Sequence, residues 1–111
     1  MNPDEKFAPL RKGLLEFAIL KVISGPAVYA ADILARLQGT DFATQEGTLY
    51  PLLSRLRRDE LVDYEWQESQ AGPPRKYYRL TEMGRAHLDD LQAYWRGLNQ
   101  TLDNLGTFGG A

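Results

Sequence analysis

The side chains able to give several directed hydrogen bonds gather in the middle of the chain. Thr48, Tyr50, Ser54, Arg55, Arg57, Arg58, Arg75, Lys76 and Arg79 all lie between positions 44 and 80. A helix opening at Thr44 turns by about 100° per residue. That rotation puts Gly47, Pro51, Ser54 and Arg58 on one face, with Thr48, Tyr50, Arg55 and Arg57 on its flanks. Glycine lets a backbone come close to a partner, and the hydroxyls and guanidinium groups then act as donors. Such a face suits an acceptor-rich surface such as phosphate oxygens and base edges. Thr48, Tyr50, Ser54 and Arg58 are therefore predicted to face a DNA major groove, with Arg75 and Lys76 gripping phosphate.

Reaction chemistry has no comparable set. His87 is the only histidine and there is no cysteine, so neither a thiolate nor a multi-histidine metal site is available. Ser24, Ser54 and Ser69 have no acid–base setting in the sequence. Gly72-Pro73-Pro74 lacks the lysine and following helix that a phosphate loop needs. The pair Asp89-Asp90 falls on a helix surface and solvates it. The chain is not expected to be an enzyme or to carry a cofactor.

The elements that must position the donors follow from periodicity. Thr44 is a candidate N-cap. Leu49, Leu52, Leu53 and Leu56 recur at helical spacing and form the inward face. Over 61–67, Val62, Tyr64 and Trp66 alternate with Asp63, Glu65 and Gln67, which is strand spacing. The tip at 68–74 is expected to be irregular, and 75–80 returns as a second, basic strand. A helix followed by such a hairpin suits a winged helix-turn-helix, with the helix in a DNA groove and the wing on phosphate.

Upstream, residues 1–9 contain two prolines and no apolar period, and are expected to form a mobile arm. Lys6, Arg11 and Lys12 cluster near it. A first helix is predicted over 10–23. Leu10, Leu14, Phe17 and Lys21 trace one stripe; Leu15, Ile19 and Val22 trace another. One side can serve its own domain while the other meets a second chain or a ligand. Gly25-Pro26 stops this helix. A second helix is predicted over 30–38, with Ile33, Leu34 and Leu37 inward and Gly39 as its stop. Tyr29 is read as a packing residue. Two helices thus precede the donor-bearing helix across a connection of only a few residues, the order of a helix-turn-helix. Pro51 removes one N–H inside the third helix and is expected to shorten or bend it.

The last helix should begin after Thr81, its N-cap, with Glu82 in the first turn. Leu88, Leu91, Trp95, Leu98, Leu102 and Leu105 then alternate steps of three and four, an a/d pattern. Such a helix is about 36 Å long at about 1.5 Å per residue. A wing domain of about 80 residues does not cover a seam of that length, so a homodimer is expected; the alternative is a seam that packs only on the chain's own first helix. Trp95 takes a seam position otherwise filled by leucine. Two facing indoles at a two-fold axis form either a core layer or a slot for a planar guest. The predicted organisation is mainly α with a β-hairpin wing: a winged helix-turn-helix domain at 1–80, a dimerisation helix at 81–105 and a disordered tail at 106–111.

With 111 residues there is room for one such domain. The net charge is −2. Residues 1–43 carry five basic and five acidic side chains, 44–80 six of each, and 81–111 two basic and four acidic. The excess therefore lies in the C-terminal third. Phosphate affinity depends on a local basic face rather than on the sum. A neutral winged domain still predicts modest non-specific DNA binding, and it leaves a second reading: a winged-helix module that binds protein without specific DNA binding. No apolar run is long enough to span a bilayer, and the cysteine-free composition is compatible with a cytoplasmic location.

Two motifs carry a resemblance to a known family. Glu46-Gly47-Thr48-Leu49-Tyr50-Pro51 and Gly72-Pro73-Pro74-Arg75-Lys76-Tyr77-Tyr78-Arg79-Leu80-Thr81 together resemble the PadR family of bacterial transcriptional regulators. The likeness extends over about 10–105 and is closest to the small, multidrug-binding members with a single C-terminal helix. It implies a homodimeric repressor of an inverted-repeat operator in double-stranded DNA, released by a small aromatic effector. The resemblance favours Lys12 as a phosphate clamp beside the recognition helix and matches Val28-Tyr29 to the turn into the second helix. It also places a tryptophan at Trp95, with Leu15, Glu16, Ile19 and Asn99 lining the same effector space.

Overall fold

The computed structural model describes residues 3–107. In chain order the elements are α1 (Pro3–Lys6), α2 (Ala8–Ile23), β1 (Val28–Tyr29), α3 (Ala30–Leu37), α4 (Glu46–Arg58), β2 (Val62–Ser69), β3 (Gly72–Leu80) and α5 (Glu82–Gly106). The three strands form one antiparallel sheet in the order β1-β3-β2. This is the expected mainly helical fold with a wing. Among the described residues no helix is long and apolar enough to cross a membrane.

The helical periods converge on one core. Ile19, Leu20 and Ile23 of α2 meet Ala30, Ile33 and Leu37 of α3 and Leu49, Leu53 and Leu56 of α4. Val62, Tyr78 and Leu88 add one residue each from β2, β3 and α5. Each buried Leu or Ile contributes about 1.5–3 kcal/mol relative to exposure. Leu53→Ala is the kind of single change that removes contacts to several elements at once, at a cost of about 2–5 kcal/mol.

Local chemistry sets the ends of α4. Its N-cap is Gln45, which makes no side-chain cap, so Thr44 is not the cap expected from its hydroxyl. Thr44 lies in the preceding connection, where Gln38 Nε2 donates to its carbonyl at 3.5 Å. Pro51 sits inside one continuous helix. At the far end Leu61 N–H returns to Leu56 O at 2.9 Å, and Glu60 adopts φ 64°. That six-residue closure with a left-handed penultimate residue is a Schellman-type stop, here without the usual glycine.

Leu61 then ties the end of α4 to α5. Thr81 N–H donates to Leu61 O at 3.1 Å, and Thr81 Oγ1 donates to Glu60 O at 2.6 Å. The same hydroxyl accepts from Gly84 N–H at 2.9 Å, making the predicted N-cap. Gly84 packs so closely that a Cβ there would lie 1.8 Å from Leu61 O. The start of α5 is thereby fixed against the end of α4 by backbone contact.

Several boundaries depart from the sequence reading. The predicted arm is helical over Pro3–Lys6, and α2 begins at Ala8, with Pro9 in the first turn where its missing N–H costs nothing. Val28-Tyr29 is a short strand on β3, not only a turn. The wing is longer than expected: Ser69 pairs with Gly72, so only Gln70 and Ala71 form the tip. Pro73 and Pro74 fit within β3 because the ladder is irregular between Gln67 and Ser69 and β1 reaches only Tyr77 and Tyr78. Of the expected disordered tail, Gly106 is helical and Thr107 caps it; 108–111 lie outside the described residues.

The seam is covered only at its start. Leu88 is buried and Leu91 half-buried, whereas Leu98, Leu102 and Leu105 are 39%, 65% and 68% exposed. The radius of gyration is 16.9 Å, against about 13 Å for a compact chain of this length.

Candidate nucleic-acid interface and effector groove

The outward face of α4 carries Thr48, Tyr50, Ser54, Arg55, Arg57 and Arg58, all exposed. Leu49, Leu53 and Leu56 anchor the opposite face, so the predicted rotation of the helix is the observed one. Two grooves flank its outward face on the wing side. One, of about 720 Å³, brings Ser54, Arg57 and Arg58 together with Tyr64, Lys76 and Tyr78. The other, of about 500 Å³, joins Tyr50 to Trp66, Arg75 and Lys76. Tyr50, Ser54, Arg58, Arg75 and Lys76 therefore border one continuous surface across helix and wing. Thr48 and Lys12 meet elsewhere, in a shallow groove toward the start of α2 that also includes Asp41 and Phe42.

The wing does not present Arg75 and Lys76 alike. Successive residues of a strand point to opposite faces. Lys76 pairs with Trp66, and its ammonium lies 4.5 Å from the Tyr64 ring and 5.3 Å from the Trp66 ring. Arg75 pairs with Gln67, and its guanidinium stacks 4.6 Å from the Tyr29 ring. Both still line the cleft beside Tyr50 and Trp66, with Arg75 stacked on Tyr29 and Lys76 over Tyr64.

Aromatic rings hold these cations in place. Arg57 sits 4.3 Å over Tyr64 and 3.6 Å from Asp63. Tyr64 packs edge-on to Trp66 and tilted against Tyr78. Sequence reasoning left Arg57, Tyr64 and Trp66 out of the site. The period-2 run Val62-Tyr64-Trp66 was the available signal, because it puts both rings on the face that carries Lys76. Burial raises the phenol of Tyr78 above its ordinary value of 10.0; Tyr50 and Tyr64 add to the rise and Arg57 opposes it.

The second region lies between α2 and α5. Trp95 forms a groove of about 330 Å³ with Leu14, Phe17, Ala18, Lys21 and Phe42. Lys21 Nζ also donates to Gln92 Oε1 at 3.0 Å, linking the two helices. Of the residues assigned to the effector space by resemblance, only Trp95 lines this groove. Ile19 is fully buried in the core and is not accessible to a ligand. It belongs to the same α2 face as Leu20 and Ile23, which the two-stripe reading did not separate from the outer side. Leu15 faces the shallow groove that holds Lys12. Glu16 accepts from Arg55 Nη2 at 2.6 Å, so its carboxylate is already engaged by α4. Asn99 Nδ2 donates back to Trp95 O at 3.1 Å. Leu14, Phe17 and Lys21, the other stripe of α2, are the residues that do face Trp95.

Known proteins share this fold. The model of the transcriptional regulator PadR-like family matches residues 19–90, most of the chain. An uncharacterised protein from Lysinibacillus sphaericus is 30% identical over 95 residues, covering 83% of this chain and 87% of its own. The solved structure of a PadR-like transcription factor from Bacteroides fragilis is 44% identical with a TM-score of 0.78, over 91% of this chain and 98% of that one. A PadR-like transcriptional regulator from Bacillus cereus is 36% identical with a TM-score of 0.73, over 85% and 92%. A PadR family regulator from Eggerthella lenta has a TM-score of 0.83 at 28% identity, over 95% and 92%. The family and these structures are of transcriptional regulators, not enzymes.

Proposed function

The chain belongs to the PadR-like family of DNA-binding transcriptional regulators, and on that premise we propose that it is a cytoplasmic homodimeric repressor released by a small planar aromatic ligand. The observation that carries the dimer is the uncovered seam. Leu98, Leu102 and Leu105 lie on the far turns of α5, beyond the chain's own core. Apolar rows of this kind mark association surfaces. A two-fold axis through the seam pairs α5 with its copy and sets two α4 helices on one side of the dimer. Two-fold related α4 helices match an inverted repeat, with half-sites about 34 Å apart. Thr48, Tyr50, Ser54 and Arg58 are the proposed base-facing set; Lys12, Arg75 and Lys76 are the proposed phosphate contacts.

The ligand site we propose is the Trp95 groove, completed by the second copy. Leu14, Phe17 and Phe42 supply apolar walls beside the indole. The charged residue on those walls is Lys21, and Glu16 is held by Arg55. Stacking and shape, rather than attraction of a positive charge, therefore select the guest. Such a ligand releases DNA only by preferring a dimer geometry in which the α4 spacing no longer fits the groove. The contact of Gly84 with Leu61 supports this coupling, since a shift of α5 is passed to the end of α4.

The test is linkage. In a Trp66→Phe background, a planar dye should quench Trp95 emission and lower operator affinity, and operator should lower dye affinity by the same factor. Full dye affinity in Trp95→Ala would remove the ligand site, and equal dye affinity with and without operator would remove its role in release.

A further inference from the structure

The residues between 44 and 80 carry as many acids as bases, six of each. Where the DNA strand meets the protein is therefore a local question. The two grooves along α4 differ here. The one near the end of the helix mixes Arg57, Arg58 and Lys76 with Glu60, Asp63 and Glu82. The cleft between Tyr50 and the wing has Arg75 and Lys76 among its lining residues and no carboxylate. Phosphate entering the first meets both signs of charge, whereas in the second it meets cations alone.

That cleft also holds an exposed ring. Trp66 is 61% exposed, although its indole is the largest apolar side chain in the wing. It is not loose. Tyr64 packs edge-on against it at 6.1 Å, and Lys76, its partner across the ladder, holds its ammonium 5.3 Å from the ring. Tyr50, 47% exposed, forms the facing wall on α4. An ordered ring loses little freedom on contact. A nucleic-acid strand alternates charged phosphate with apolar sugar, and the cleft alternates ammonium with indole.

We propose that this cleft receives the sugar–phosphate strand at the edge of the major groove into which α4 is proposed to fit. Trp66 packs on a deoxyribose while Lys76 meets the neighbouring phosphate. This deepens the DNA-binding reading and rests on it. The contact is to the backbone, so it adds affinity for every sequence and carries no base preference.

The experiment compares the wild type, Trp66→Ala, Trp66→Tyr and Lys76→Ala on two duplexes, one selected as operator from random DNA and one of unrelated sequence. Affinity is followed against salt. Trp66→Ala should weaken both duplexes by about tenfold, the scale of aromatic contacts to nucleic acid, with the salt slope unchanged. Trp66→Tyr should recover most of the loss. Lys76→Ala should lower the slope by about one. Hydroxyl-radical cleavage should show the sugars beside the wing unprotected in Trp66→Ala. Wild-type affinity and footprint in Trp66→Ala would overturn the proposal. So would a reduced salt slope in that variant, since Trp66 would then only position Lys76. Failure of the wild type to bind either duplex would instead refute the DNA-binding reading as a whole.

Discussion

Gly84→Ala should be among the most damaging single substitutions outside the core. The added Cβ would lie 1.8 Å from Leu61 O, 2.8 Å from Leu61 C and 3.2 Å from Leu61 Cα. A carbon–oxygen contact rests at about 3.3 Å, so the two backbones must part by about 1.5 Å. Neither is free to move. Leu61 donates to Leu56 O at 2.9 Å and accepts from Thr81 N–H at 3.1 Å, while Gly84 N–H is held by the Thr81 hydroxyl at 2.9 Å. Overpacking that displaces side chains costs about 1–3 kcal/mol, and backbone displacement lies at or above the top of that range. A loss of about 3 kcal/mol lowers the melting temperature by more than 10 °C in a domain of this size. The assay is thermal and urea unfolding followed by helical circular dichroism. Gly13→Ala is the control, because a Cβ there meets nothing within 4 Å and the helix gains about 1 kcal/mol from alanine. Gly84→Ala melting with the wild type, or no lower than Gly13→Ala, would refute the close approach of α5 to α4.

Glu60→Gly should stabilise the fold by about 1 kcal/mol, because φ 64° suits glycine and costs an ordinary residue about that much; a lower urea midpoint would show that the Glu60 side chain earns its place by contacts. Stability should fall as pH rises above the ordinary tyrosine value of 10.0. The folded state keeps the Tyr78 proton there after the unfolded chain has lost it, so the native state binds more protons. Tyr78→Phe should flatten that alkaline slope in urea unfolding between about pH 9 and 11, and an unchanged slope would contradict the burial of its phenol. Charged residues at both Leu91 and Leu98 should give monomers by sedimentation, since each removes a seam leucine and places a charge in an apolar contact; a wild type that is monomeric at micromolar concentration would dispose of the proposed dimer.

Helices α3 and α4 were legible in the sequence because their apolar periods match their burial. The leucines of α4 predicted its rotation, and Thr81 predicted the start of α5 at the cap that forms. Signals that depend on distant partners were not legible. Val28-Tyr29 is too short to carry a period, and it becomes a strand only because β3 lies beside it. Thr44 has the chemistry of a cap but not the position, since Gln45 takes the place before Glu46. The left-handed turn at Glu60 lacks the glycine that would announce it. Nothing local in the sequence singles out Gly84, because its partner, Leu61, is brought near only by the fold. At the candidate interface, residue types were visible but their grouping was not. Tyr50 and Trp66 are far apart in sequence, yet they line one cleft with Arg75 and Lys76. Ile19 and Phe17 belong to one helix, yet one is core and the other lines the Trp95 groove.

Two copies of α4 and the wing are proposed to bind DNA as a unit. Hydroxyl-radical footprinting of a duplex selected from random or genomic DNA tests it most directly. Two protected tracts related by a two-fold axis are expected, with centres about 34 Å apart along the helix and lying over an inverted repeat. A single protected tract without two-fold symmetry, or uniform cleavage at every salt concentration where the protein is folded, would contradict it.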